Sequence, residues 1–131
     1  LAALSKESGL QGLSGVSNDM REVNRAAEAG DENAQIAIDA FADNVTGYIG
    51  METAYLEGLD LIAFTGGIGQ HSAIIRQKVL KPLAYLGLKL DEEANEEGRE
   101  IISTSESRVK VVVLETDEEI MIARQVAQCL S

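Results

Sequence analysis

The sequence predicts an α/β fold in which helices pack on a sheet. Three observations carry this expectation. The stretch "DLIAFTGGIGQHSA" (Asp60 to Ala73) runs from an apolar, strand-like segment into a glycine-rich turn and then into helix-forming residues; "RVKVVVLE" (Arg108 to Glu115) is the clearest strand; and two long stretches show helical spacing.

In chain order, "SGLQGLSGVSND" (Ser8 to Asp19) reads as a loop punctuated by glycine and serine. Ser17 or Asp19 is placed to cap a helix ending near Gly30, and Asp31 opens a longer helix through about Glu57. Its apolar positions are Ile36, Ala37, Ala40, Phe41, Val45, Tyr48 and Ile49, with Gly47 and Gly50 as points of bending. "LIAFT" is the first strand. After the glycine turn, Ser72 to about Leu86 suits a helix that Pro82 breaks. A short "LGLKL" precedes an acidic surface helix from Asp91 to Glu100. "TDEEIMIARQVAQCL" closes the chain as a helix, with Thr116 and Glu119 at capping-box spacing and Ile120, Ala123, Ala127 and Leu130 on one face.

The 131 residues, 45% of them hydrophobic, suit one domain with its own core. A formal charge of −11 argues against a nucleic-acid or membrane-surface binder, since an acidic surface repels phosphate. Any phosphate ligand must therefore be gripped locally. The single Cys129 permits neither an internal disulfide nor a cysteine metal cluster, and a reducing, cytoplasmic setting is expected. No run approaches the roughly 18 apolar residues of a membrane span, and no signal segment opens the chain. A chain beginning at Leu1 is read as a fragment.

The glycine turn is the first candidate site. Gly66, Gly67 and Gly69 lack the Cβ atoms that would hold a ligand off the backbone, and free amides at a helix start can receive an anion. A P-loop is excluded because no Gly-Lys-Ser/Thr follows. A dinucleotide fingerprint fits better: Gly67 and Gly69 begin G-x-G-x-x, and Asp91 lies at a suitable distance for a ribose, but Ser72 stands where the third glycine belongs. A plain strand-to-helix connection has the same composition. Asp117, Glu118 and Glu119 complement a helix dipole in one reading and serve Mg²⁺ in another. His71 reads as a surface or capping residue, Asp19 as a cap and Arg21 as a solvated or paired side chain. Arg76 reads as a helix-surface charge, Asp91 to Glu97 as a solvated face and Cys129 as a small apolar filler.

Four stretches, "SGLQGLSGVSNDMRE", "DLIAFTGGIGQHSAIIR", "LGLKLD" and "ETDEEIMIARQVA", occur in the order and spacing of motifs in the C-terminal part of acetate kinases, which the chain resembles over nearly its whole length. The resemblance implies a mixed sheet with flanking helices, the ribonuclease-H-like or actin-like ATPase fold of sugar kinases, actin and heat-shock chaperone ATPases. It implies a C-terminal nucleotide-binding part, with the N-terminal domain and the start of the C-terminal domain absent. The family reaction is reversible phosphoryl transfer between ATP and a short-chain carboxylate, giving ADP and an acyl phosphate.

By the same resemblance, Asp19 contacts the nucleoside, Met20 supplies backbone and Arg21 lies against the adenine, while Gly66, Gly67, Ile68, Gly69 and Gln70 line the adenosine and phosphate path. Gln70 and His71 depart from the family's usual Glu-Asn. Glu118 matches its magnesium-linked glutamate, and Asp117 replaces an Asn. The family's catalytic groups belong to upstream segments, so none is expected in this chain and catalysis by it alone is not expected. Mg²⁺, ATP or ADP, acetate ahead of propionate or butyrate, a cytoplasmic setting and a homodimer of the full-length enzyme complete the expectation. Two alternatives are a non-catalytic nucleotide-binding module of the same superfamily and an NAD-binding domain.

Overall fold

The computed structural model describes residues 8–116 and 118–129. Asp117 and Leu130 lie outside the described residues, as do the side chains of Glu118, Glu119 and Ala123. The capping box and the full apolar face expected of the last helix therefore fall outside them.

Where the sequence reads as a loop, Gly9–Ser14 forms a short helix, α1, that packs on the long helix below. Gly9 opens it, Gly12 lies within it, and Gly15, at φ 68°, closes it by donating to the Gln11 carbonyl at 2.8 Å. Ser14 is buried and Leu10 packs against the core, so the segment has an apolar side despite its loop-like composition.

Helix α2 (Met20–Glu28) starts at Asp19, whose carboxylate accepts from the Arg21 N–H at 2.9 Å. It buries Met20 and Val23. Asp31 caps α3 (Glu32–Tyr55) by accepting from Ala34 N–H at 3.0 Å. Helix α3 runs through Gly47 and Gly50 as one element and buries Ala34, Ala37, Ile38 and Ala42, whereas Ile36 and Tyr48, expected on its apolar face, are exposed. Ile38 is fully enclosed, and truncating it to alanine would cost about 2–5 kcal/mol.

Strand β1 (Leu61–Phe64) pairs in parallel with β2 (Lys110–Val113), Leu61 opposite Lys110 and Phe64 opposite Val113. On the far side of β2, Ile101 bridges Val112 in antiparallel sense, so both directions of pairing are present. A parallel pair needs a long crossover. It consists here of α4 (Gly66–His71), α5 (Ala73–Leu80), a 3-10 helix (Lys81–Leu86) and α6 (Glu92–Glu97). Pro82 falls where α5 gives way to the 3-10 helix, as its missing N–H requires. Gly98, at φ 65°, stops α6 short of the predicted Glu100. Val79, Leu80, Leu83, Ile102, Val109 and Val111 join Val23, Ile38 and Ile62 in one core. Helix α7 (Glu118–Cys129) follows β2 and leaves Ile120, Met121, Ile122 and Val126 largely exposed. Cys129 is exposed as well, which corrects its reading as a small apolar filler: it stands on a helix whose described apolar side chains are largely exposed.

Candidate functional site

Two segments far apart in sequence meet at one cleft of ≈ 630 Å³. One wall is the entry to α2: Asp19, Met20, Arg21 and, one turn further in, Asn24. The other comprises Gly67, Ile68 and His71 of α4. Helix α4 begins directly after β1, with Gly66 at φ 68°, a left-handed conformation that a side chain would strain. Gly67 is different: an added Cβ would meet no atom within 4 Å, so its face of the cleft is open space.

On the α2 side, the Asp19 carboxylate accepts from Arg21 three times, at 3.0 and 3.2 Å from Nε and 2.5 Å from Nη2. These side-chain bonds, then the Arg21 backbone N–H, hold the Asp19 carboxyl down to about 2 from its ordinary 3.8. The same pairing raises Arg21 above its usual value. The fork fixes the guanidinium, yet its side chain stays 80% exposed, with a flat face free to take a ring. Asn24 Oδ1 is buried beside this wall with no hydrogen-bond partner among the described residues.

Behind α4 sits a residue whose sequence context misplaces it. Arg76 is 1% exposed, not a surface charge. Its Nη1 donates to the Gly69 and Gln70 carbonyls, both at 2.8 Å, its Nε to Asn95 Oδ1 at 2.7 Å and its Nη2 to the Asn95 carbonyl at 2.7 Å. Burial pushes its pKa below the usual arginine value without discharging the guanidinium. Cationic donors at the last carbonyls of a helix also oppose its dipole. Asn95 in turn donates to the Ala73 carbonyl at 3.0 Å, so the expected solvated face of α6 carries a buried anchor. A signal for Arg76 does exist in the sequence: Ile75, Arg76, Val79, Leu80 and Leu83 share one helical stripe, which places Arg76 inside.

A second cleft, ≈ 790 Å³, opens on the other side of Gln70 and His71 and is lined by Glu96, Glu97, Glu100 and Glu115. It is strongly acidic. Among the described residues no three His, Cys, Asp or Glu side chains are grouped to hold a metal ion.

The family description "Acetokinase family" matches residues 1–124. The chain belongs to the acetokinase family. Curated relatives called acetate kinase include one from Shouchella clausii, 45% identical across 100% of this chain and 34% of its own length, and one from Clostridium botulinum, 49% identical across 92% and 31%. The chain thus spans about a third of the curated relatives it matches. Among solved structures, an acetate kinase from Porphyromonas gingivalis superposes with TM-score 0.88 at 38% identity (95% of this chain, 32% of that one). A propionate kinase from Francisella tularensis gives 0.86 at 39% (94% and 32%). The mixed α/β architecture is accordingly that of the actin-like ATPase fold.

Within this acetokinase-family chain, Asp19, Met20, Arg21, Gly67 and Ile68 share the first cleft. Gly66 and Gly69 do not line that cleft; together with Gly67 and Ile68 they line a smaller hollow against Phe64 and Val79, and Gln70 faces the acidic cleft. Asp91 caps α6 by accepting from Ala94 N–H at 3.0 Å and lines none of these hollows, which removes the ribose contact that the dinucleotide reading required. His71 is exposed at the end of α4 and borders both larger clefts.

Proposed function

We propose that this chain is the C-terminal, adenosine-binding part of an ATP-dependent acetate kinase, which transfers the terminal phosphoryl group reversibly to acetate to give acetyl phosphate and ADP. The observation that carries this reading is the convergence of the Asp19–Arg21 segment with Gly67 and Ile68 of α4 on one cleft, where a planar cationic face can stack an adenine and a bare backbone admits close approach. Arg21 lies against the adenine, held by its fork to Asp19. Asp19 keeps acceptor capacity for ribose or adenine donors, and Met20, whose side chain is buried, supplies backbone. Gly66, Gly67, Ile68 and Gly69 border the adenosine and lead toward the phosphates, with Gln70 closing the segment.

Glu118, at the start of α7, is the proposed link to Mg²⁺. The surroundings fit that ion: it is a hard cation that takes oxygen donors, keeps several waters and needs only one or two carboxylates, and the neighbouring cleft is rich in glutamates, Glu115 among them. When bound, Mg²⁺ neutralises charge on the phosphates. This chain's residues hold the nucleoside still while the remainder of the polypeptide presents the carboxylate and the transition-state donors. Supporting the assignment are the family membership and the names of the relatives, acetate and propionate kinases. A cytoplasmic homodimer is the assembly we propose for the full-length enzyme.

The test is turnover by the full-length polypeptide with ATP, Mg²⁺ and acetate, propionate or butyrate, trapping the acyl phosphate as hydroxamate. Acetate should give the highest kcat/KM, and Glu118→Gln should raise the Mg²⁺ needed for half-maximal rate. Absence of acyl phosphate with all three acids would refute the proposal.

A further inference from the structure

We propose that Gln70 is a positioning residue, whose side chain ties the end of α4 to the segment leading from β2 into α7 and so sets the spacing between the nucleotide-lining glycines and Glu118. The inference rests on the nucleotide reading above. Gln70 Nε2 donates to the Leu114 carbonyl at 2.9 Å, joining residues 44 apart in sequence. The Leu114 N–H donates to the Phe64 carbonyl at 2.9 Å. The backbone at Leu114 is therefore held on one side by the end of β1 and on the other by the end of α4, shortly before α7 begins at Glu118.

Gln70 is itself anchored. Its carbonyl accepts from Arg76 Nη1, and Arg76 is fixed by Asn95, so an unbroken run of hydrogen bonds leads from the core to Leu114. In this chain the bond to Leu114 uses an amide at position 70, where the family's usual residue is Glu. Leu114 offers a carbonyl acceptor, and an ionised carboxylate has no proton to give it. A glutamate would also place a charge in a cleft already lined by Glu96, Glu97, Glu100 and Glu115. With the Gln70 amide engaged in this way, its contribution to the nucleotide is the placement of the α4 backbone rather than a side-chain contact.

The test compares the full-length protein with Gln70→Met, which keeps length and loses the donor, and with Gln70→Glu. Three measurements are made: hydrogen exchange at the Leu114 amide, calorimetric ADP affinity without metal, and kcat with its Mg²⁺ dependence. Loss of one hydrogen bond should speed Leu114 exchange and lower kcat, each by about threefold to tenfold, in both variants. ADP affinity without metal should stay within about twofold of the parent, because the split between binding and turnover marks a spacing role. Two results would overturn the inference: ADP binding that weakens as much as kcat falls, which makes Gln70 a direct contact, or Leu114 exchange and kcat that both match the parent. A parent that makes no acyl phosphate would refute the kinase reading instead, and Leu114 exchange would still decide whether the tie exists.

Discussion

Replacing Arg76 by methionine should destabilise the protein strongly, because Arg76 is a buried cation that serves four acceptors, none of them a carboxylate. Methionine fills much of the same volume and removes the cost of burying a charge, which offsets part of the loss. It leaves the Gly69 and Gln70 carbonyls, the Asn95 carbonyl and Asn95 Oδ1 without their donor. Charge-assisted hydrogen bonds contribute about 1.5–3 kcal/mol each and overlap when they share one donor group, so a net loss of about 3–4 kcal/mol is expected. For a chain of this length that corresponds to a fall in Tm of about 11–15 °C. Arg76→Lys should fall between, since one ammonium cannot span both the α4 carbonyls and Asn95. Thermal unfolding followed by circular dichroism, with urea titration as a second axis, measures the loss. An Arg76→Met variant melting within about 2 °C of the parent would refute the reasoning, because ΔΔG would then be below about 1 kcal/mol.

Asn95→Leu should couple to Arg76→Met: the double variant should lose less than the two single losses together, by about 0.5–3 kcal/mol in denaturant titration, since both remove the same contacts. Gly67→Ala separates function from folding. Its Cβ enters open space in a helix, so Tm should hold or rise slightly, while ADP affinity by calorimetry should fall about tenfold or more because the Cβ occupies ligand volume. Asp19 makes stability pH-dependent. Its carboxyl is depressed in the folded state, so the stabilisation is complete above its ordinary 3.8 and disappears as pH falls toward about 2. The Tm difference between the parent and Asp19→Asn should therefore shrink across that interval, and a constant difference would show that Arg21 does not set the Asp19 pKa.

Most elements were legible because their signals are local. Asp19, Asp31 and Asp91 cap α2, α3 and α6 as short acceptor side chains do, and the apolar runs at Leu61–Phe64 and Lys110–Val113 form the paired strands. Helix α1 was not legible: its glycines, Gly12 within it included, read as a loop, and its packing depends on α3, which comes later in the chain. The site divided in the same way. The Asp19–Arg21 motif and the glycines could be named from their pattern, but that Gly67 meets Asp19–Arg21 in one cleft is a tertiary fact. Arg76 and Asn95 were misread because charged and amide residues are solvated more often than buried, and only the helical stripe of Arg76 argued otherwise. The partner of Gln70, a backbone carbonyl, has no side-chain signature at all.

Asp19–Arg21 and the Gly67–Ile68 part of α4 are proposed to form one adenosine site. Amide chemical-shift mapping of the isotopically labelled protein during titration with ADP tests it most directly, since it locates the ligand without relying on turnover. Shifts should concentrate at residues 19–24 and 66–70, and in Gly67→Ala should need about tenfold more ADP or greater to reach the same extent. Saturable shifts confined to the acidic cleft around Glu96, Glu97 and Glu100, with residues 19–24 unmoved, would contradict the proposal.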